Sequence, residues 1–402
     1  MELDATRVLV GLDEFVVLAA REIDGELIVD VAVARGEAPC PACGVFSARV
    51  KERRRQRVRD DRSFGRPTTL VWFKRRFHCQ EPACDRRSFT ESTGEVPARS
   101  RLTERLRRAI GRAARSRSIA AVAAEHQLGW WTTWRAARAE AERLLAQRPQ
   151  GPPARLGLDE TTFRRPQRFA TGLVDLDSGR LWDLVEGRSK KVVTDRLAAL
   201  GVDVASIEDV VIDPFAGYKT AVRHQAPLAR RTADKFHIVK LAGQAVTDVR
   251  CRRQQELTGH RGRNDDPFYR ARRDLLRARE RLSEHGWDRR AAAFRADPYD
   301  ELECAWTLKE ALRDVYSAVT RADAERELHA WHDLAARYDV PETTRLSTTL
   351  RAWEHEILNY FDSRLSNGPT EGRNLIIKQV KRQGFGYRNF TNYRLRVLHR
   401  CA

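Results

Sequence analysis

Strand-forming sequence is confined to two windows of this chain, and that confinement limits the folds open to it. In the first, Glu14-Phe-Val-Val-Leu and Glu26-Leu-Ile-Val-Asp-Val-Ala-Val flank Asp24-Gly25, the pattern of a β-hairpin. The second opens after Arg148-Pro-Gln-Gly-Pro-Pro153, a Pro/Gly cluster that reads as a linker. Here the apolar run Arg155-Leu-Gly-Leu-Asp is followed by alternating strands at 168–176 and 180–186, joined through Asp177-Ser-Gly179. A buried run at 209–213 and a short strand at 229–234 come next, with helical patterns at 190–200 and 217–226 between them. Residues 100–147 are strongly helical in pattern, and 238–365 almost wholly so, interrupted by polar loops at Thr258–Pro267 and Ser283–Trp287.

Three strands, helix, strand, helix, strand, helix is the order of an RNase H-like mixed sheet with helices on its faces. The expected architecture is therefore multidomain α+β. Residues 1–95 form a β-hairpin and zinc-binding module, and 96–150 a helix-turn-helix domain. Residues 154–240 and 366–402 form the two parts of an RNase H-like α/β core. An all-helical insertion at 241–365 interrupts that core, and no internal repeat is evident.

Three carboxylates stand out within this plan. Asp159 closes one apolar run, Asp213 closes Val210-Val-Ile-Asp, and Glu371 follows the helix-start signal Asn367-Gly-Pro-Thr. Phosphodiester cleavage needs an attacking oxygen activated and a leaving oxygen stabilised. Two hard cations about 3.5–4 Å apart do both, and carboxylates are their natural ligands. Asp159 suits a bridging ligand on a central strand, Asp213 a second ligand at a neighbouring strand end, and Glu371 a third near a helix N-terminus. Two Mg²⁺ (or Mn²⁺) ions are the expected cofactors. Turn chemistry and capping explain such residues equally well one at a time; their order and number favour the cluster. Glu160 should point to the opposite face of its strand from Asp159, and Asp175 and Asp177 are explained by their turn. Asp234 and His237, at a strand-to-helix junction, either approach the same pocket or leave Asp234 as a simple helix cap.

Cys40-Pro-Ala-Cys43 and Cys79-x4-Cys84 give two cysteine pairs with the spacing of a structural Zn²⁺ site; buried or redox thiols are the competing reading. Cys251, Cys304 and Cys401 lack metal spacing. Between the pairs, Lys51-Glu-Arg-Arg-Arg-Gln-Arg-Val-Arg59 and Lys74-Arg-Arg76 either track a phosphate backbone or merely keep strand edges solvated. Residues 117–138 suit a helix-turn-helix with Leu128-Gly129 at the turn and a second helix starting near Trp131. That helix would offer Thr132, Thr133, Arg135 and Arg138 to the major groove; the alternative is a helical hairpin with Trp131 and Trp134 in its core. The run 378–396 interleaves basic and aromatic residues, and Lys378, Lys381 and Arg382 are its candidate DNA contacts. Its aromatics Phe385, Tyr387 and Phe390 equally suit packing of the last helix.

An excess of 74 Lys+Arg over 56 Asp+Glu, net +18, points to an anionic polymer, although an arginine-rich, alanine-rich composition also arises from GC-rich coding. Seven cysteines are too few for a disulfide scaffold. No secretory signal is visible, and no apolar stretch approaches the roughly 20 residues of a membrane span. The expectation is a soluble, intracellular protein with no membrane partner.

The chain resembles the ISL3 family of bacterial insertion-sequence transposases, a branch of the DDE transposases. The resemblance runs through the cysteine knuckle, Arg75-Arg-Phe-His-Cys79, Arg87-Ser-Phe-Thr-Glu91, Leu156-Gly-Leu-Asp-Glu160, Asp234-Lys-Phe-His-Ile-Val-Lys240 and Asn367-Gly-Pro-Thr-Glu-Gly-Arg-Asn374. It ends with Ile377-Lys and Gly384-Phe-Gly-Tyr-Arg-Asn-Phe390. It implies that Asp159, Asp213 and Glu371 are an acidic triad. It also implies a protein of the bacterial cytoplasm, at the nucleoid, that binds double-stranded DNA at inverted terminal repeats, cuts the element ends and joins their 3′-hydroxyls to target DNA; pairing two ends argues for a homodimer on DNA. One departure is Asp213-Pro-Phe-Ala-Gly-Tyr218, where relatives often carry Met before the aspartate and Ser nearby. The alternative is a domesticated or inactive transposase acting as a sequence-specific DNA-binding regulator.

Overall fold

The computed structural model, which describes residues 11–149, 151–164, 166, 168–260 and 262–402, has two separate five-stranded sheets; the first extends beyond the expected hairpin to strands between residues 50 and 90. Residues 1–10 of the expected first segment and Gln150 of the expected linker lie outside the described residues. The chain divides into two compact units. The first runs to Arg148 and includes Val380–Arg400; the second is Pro149–Gln379.

In the first unit β1 (Phe15–Ile23) and β2 (Glu26–Val33) pair antiparallel across Asp24-Gly25. Both turn residues have positive φ (50° and 76°), which is what a two-residue hairpin turn demands. Short β3 (Ala38–Pro39) and β4 (Phe46–Ser47) form a ribbon at the cysteine knuckle. Long β5 (Val50–Ser63) and β6 (Arg66–His78) pair antiparallel, and β7 (Ser88–Thr90) adds to β6. The sheet order is β1-β2-β6-β5. Its apolar face buries Phe15, Val29, Val31, Val58, Leu70 and Trp72. Three helices follow: α1 (Glu104–Ser116), α2 (Ile119–Glu125) and α3 (Trp130–Ala146). Thr103 and Ser118 cap the first two by accepting from Leu106 N and Ala121 N. A Cβ on Gly111 would lie 2.3 Å from Glu140 Cγ, so glycine is what lets α1 and α3 approach so closely.

In the second unit β8 (Arg155–Arg164), β9 (Arg168–Asp175) and β10 (Leu181–Glu186) are antiparallel neighbours. After α4 (Lys190–Ala198), β11 (Asp209–Ile212) pairs parallel with β8; after α5 (Ala216–Gln225), β12 (Arg230–Ala233) pairs parallel with β11. The order is β10-β9-β8-β11-β12. The central strands are buried on both faces, so Leu156, Leu158, Val210 and Ile212 read as apolar runs. Helices then follow without a strand among the described residues. They are α6 (Lys235–Thr258), α7 (Pro267–Ala271), α8 (Glu284–Arg295), α9 (Glu301–Val315), α10 (Arg321–Tyr338) and α11 (Pro341–Ser363). Trp331, Trp353 and Phe361 from the last two join the core of the sheet. Val246, Phe268, Leu302 and Trp306 make a second, purely helical core.

The last helices are α12 (Gly368–Gln383) and α13 (Phe390–Arg400). Residues 366–402, expected as one closing piece of the core, divide instead: 380–400 group with the first unit. There α13 packs on α1 and α3, burying Tyr393, Val397 and Leu398. No helix among the described residues is long and apolar enough to cross a membrane.

Candidate functional site

Parallel register puts three aspartates side by side. Leu158 lies opposite Ile212, and Ile212 opposite Ala233, so the next residues, Asp159, Asp213 and Asp234, stand at one level across neighbouring strands. Asp213 and Asp234 directly follow β11 and β12. Asp159 does not end its strand as expected: β8 continues to Arg164 because Thr161 and Thr162 keep pairing with β9. Asp234 occupies the cap position of α6 but makes no capping bond. Its oxygens instead accept from Asn367 N at 3.1 Å and face His237 Nδ1 at 3.0 Å. The simple-cap reading therefore fails.

Asp159, Asp213 and His237 each offer a ligand atom within 4.8 Å of the others. His237 Nδ1 is 3.1 Å from Asp213 Oδ1. Glu371 does not join them; its side chain is exposed at the start of α12. Two residues that the sequence reading did not single out do reach the carboxylates. Asn374 Nδ2 donates to Asp159 Oδ2 at 2.5 Å. Asn367 Nδ2 donates to Leu158 O at 3.0 Å and lies 3.5 Å from Asp213 Oδ1. Both flank Glu371 at helical spacing, which was the available signal. The helix sits close because the strands carry glycine beneath it. A Cβ on Gly157 would fall 2.4 Å from Thr370 Oγ1 and 2.7 Å from Asn367 Oδ1. Glu160 points away and pairs with Arg188 at 3.1 Å, while Asp175 accepts from Asp177 N and Ser178 within its turn.

Burial, and then the negative charge of Asp159, push Asp213 up to about 8. Burial works to lower His237, but Asp234 and the neighbouring carboxylates outweigh it and hold the imidazole above its ordinary range. The mutually repelling carboxylates of Asp159 and Asp213 are oxygen donors that fit a hard divalent cation, while His237, held towards its protonated form, hydrogen-bonds to Asp213 and Asp234 beside them.

In the first unit Cys40, Cys43, Cys79 and Cys84 converge, and Cys43 Sγ lies 3.6 Å from Cys79 Sγ. Sulfurs about 3.8 Å apart are what tetrahedral Zn–S bonds of about 2.3 Å require. Burial opposes ionisation of Cys40, yet backbone donors at Ala42 and Cys43 bring its thiol down to about 7. This is a structural zinc site.

The helix expected to start near Trp131 begins at Trp130, after Gly129. Arg135 and Arg138 are exposed, Arg138 pairing with Glu142 at 2.7 Å, and Thr132 is half-buried. Thr133 is a correction: it is fully buried, its hydroxyl bonded to Gly129 O at 3.2 Å, and it cannot reach a groove. Trp134 is core, whereas Trp131 is 69% exposed, so the hairpin alternative holds for only one of its two tryptophans. Lys378 and Arg382 are exposed and Lys381 is half-buried. Phe385 is 96% exposed, while Tyr387 and Phe390 pack on Tyr393.

A family model described as transposase matches residues 156–397. The zinc-finger of transposase IS204/IS1001/IS1096/IS1165 matches 36–84, and the helix-turn-helix domain of transposase family ISL3 matches 91–140. The chain is 26% identical over 364 residues to the transposase for insertion sequence element IS1001 of Bordetella parapertussis, covering 89% of this chain and 87% of that one. It is 30% identical over 256 residues to the transposase for insertion sequence element IS1557 of Mycobacterium tuberculosis, covering 58% and 57%. Among solved structures, the Drosophila P element transposase strand transfer complex aligns with a TM-score of 0.38 at 11% identity, over 73% of this chain and 91% of that one. Zinc finger, helix-turn-helix and transposase segment are matched in chain order, and the chain belongs to the ISL3 family of DDE transposases.

Proposed function

We propose that this transposase binds the inverted terminal repeats of its element, cleaves the ends and joins the 3′-hydroxyls to target DNA through a two-metal site. The register-aligned aspartates carry this reading. The strand order β10-β9-β8-β11-β12, antiparallel then parallel, is the order an RNase H-like core would have, and α6 to α11 would be its helical insertion. Asp159 would bridge two Mg²⁺ (or Mn²⁺) ions, with Asp213 and Glu371 holding one each. Bound there, the ions would supply activation of the attacking oxygen and stabilisation of the leaving 3′-oxygen. Glu371 lies one helical turn from both Asn367 and Asn374, whose side chains already contact the site, and would have to turn in from solvent to join them. Asn374 orients Asp159, and Asp234 with His237 steadies Asp213.

The exposed Arg135 and Arg138, with half-buried Thr132, would face the major groove. Lys378, Lys381 and Arg382 would contact strand phosphates, and a homodimer would pair two ends. In the first chemical step, water attacks the phosphate at the element end, the bond to the 3′-oxygen breaks, and that oxygen takes up a proton. In the second, the 3′-hydroxyl attacks a target phosphate in the same way. Asp213→Asn in the full chain should leave end binding intact and abolish Mg²⁺-dependent cleavage. Cleavage near the wild-type rate would remove Asp213 from the site, and with it the two-metal reading. A DNA-binding regulator without catalysis would show no metal-dependent nicking in the wild-type chain either.

A further inference from the structure

The face of the first sheet that begins as core ends as a charged groove. Val58 pairs with Leu70 and Gln56 with Trp72; two residues further along the same face, Arg54 pairs with Lys74, and beyond that Glu52 with Arg76. Val58, Leu70 and Trp72 are core. Arg54, Lys74 and Arg76 instead line a groove of about 600 Å³ whose other walls include Arg86 and Arg99, and among the described residues no carboxylate lines it. Arg54 is already engaged by Glu52 at 2.6 Å. Lys74 is only 6% exposed, lies 4.1 Å from the Trp72 ring centroid, and its Nζ donates to Gln56 Oε1 at 3.1 Å. Arg76 Nε is buried without a hydrogen-bond partner among the described residues.

The groove does not stop at the sheet. Arg99 also lines a second concavity of about 410 Å³, which continues over Arg101 and Arg107 to Thr132 and Arg135 on α3, again without a carboxylate. Arg107 Nε is likewise buried and unpartnered among the described residues. Arg99, where the two meet, holds a left-handed φ of 63°, a strained conformation for a side chain of its size. Solvated arginines that merely protect a sheet edge would need neither a buried lysine nor orphaned guanidinium donors. A row of cationic side chains, one nearly buried and two with an unpartnered Nε, matches a row of anionic oxygens.

We propose that this groove takes the sugar-phosphate backbone of DNA beside the segment read by α3. It would act as a sequence-independent clamp, with Lys74, Arg76, Arg86 and Arg99 as its phosphate contacts. The proposal rests on the DNA-binding reading above. Each phosphate neutralised adds about 0.9 to the slope of log affinity against log salt. The test uses the full-length, zinc-loaded chain. Its affinity is measured across a salt series for a duplex taken from the DNA flanking its gene and for a scrambled duplex of equal length. Arg86 and Arg99 are exposed, so the double variant Arg86→Ala/Arg99→Ala leaves the core untouched. It should lower the slope by about 1.8 on both duplexes and leave their affinity ratio unchanged. Adding Arg76→Ala should remove about 0.9 more, and lysine at positions 86 and 99 should restore the slope. An unchanged slope in the double variant, with zinc content and helix content intact, would overturn the clamp. A loss confined to the flanking duplex would overturn it too, since that marks base reading. If the wild-type chain binds neither duplex, the DNA-binding reading itself fails and the clamp falls with it.

Discussion

Asp213→Asn should make the metal-free protein more stable, because this site stores electrostatic cost that only a cation relieves. A carboxyl held at about 8 rather than its ordinary 3.8 costs up to ~6 kcal/mol when it is made to ionise. Water entry and side-chain rearrangement let the protein shed part of that, so a difference of about 1–3 kcal/mol above pH 8 is expected. The direction follows from linkage. The folded value is raised, so the folded state holds its proton more tightly than the unfolded chain. Stability is therefore full below about pH 4 and declines as pH rises through 8. His237 is raised as well, and its contribution is lost in the same direction as pH rises through its folded value. Asparagine cannot ionise, so the gap between variant and wild type should open from near zero at acid pH to its full size above pH 8. The assay is thermal unfolding in a chelator across that range, where about 1–3 kcal/mol is several degrees for a unit of this size. Saturating Mg²⁺ should reverse the order, stabilising wild type and not the variant. A gap that stays flat with pH, or a variant less stable at every pH, would refute the charge-repulsion account of this pocket.

Chelation of zinc, or Cys84→Ser, should release one zinc per chain and expose residues 36–92 to proteolysis, read by metal analysis and cleavage mapping. Cys40 and Cys84 belong to the same small core as Phe77 and Phe89, so metal and core are lost together. Gly157→Ala should cost about 1–3 kcal/mol, outweighing the ~0.5–1 kcal/mol alanine ordinarily gains over glycine in a strand. Its Cβ collides with buried Thr370 and Asn367, so α12 must shift and cleavage should fall by more than the change in melting temperature explains; a neutral substitution would show that the helix is not seated by that glycine.

What was legible in the sequence was whatever leaves a periodic or punctuating trace. Asp24-Gly25 announced its hairpin because few residues tolerate two successive positive φ values. The apolar runs before Asp159 and Asp213 announced buried central strands, and a carboxylate at the end of such a run is costly enough to suggest a purpose. Periodicity says less about which way a helix turns. The apolar positions of α3 mark its core face, yet Thr133 joins that face because a small hydroxyl can bond back to Gly129 O, and polarity alone placed it outside. Similarly, Asn367-Gly-Pro-Thr located the start of α12 without revealing that two asparagines would meet the aspartates while Glu371 faced solvent.

Tertiary address is the information the pattern lacks. The amphipathic face of α13 suits any apolar groove, and nothing in its sequence distinguishes the first unit's helices from the sheet it was expected to join. Register is different, because one-residue slippage would exchange the two faces of each strand and set every side chain against the wrong packing partners. That constraint aligns Leu158, Ile212 and Ala233 and so delivers the three following aspartates to one level whatever their mutual repulsion. The apolar residues thus impose the repulsion that the carboxylates cannot avoid. A core substitution that weakened the register, rather than one at the site, is accordingly the change that would scatter the cluster.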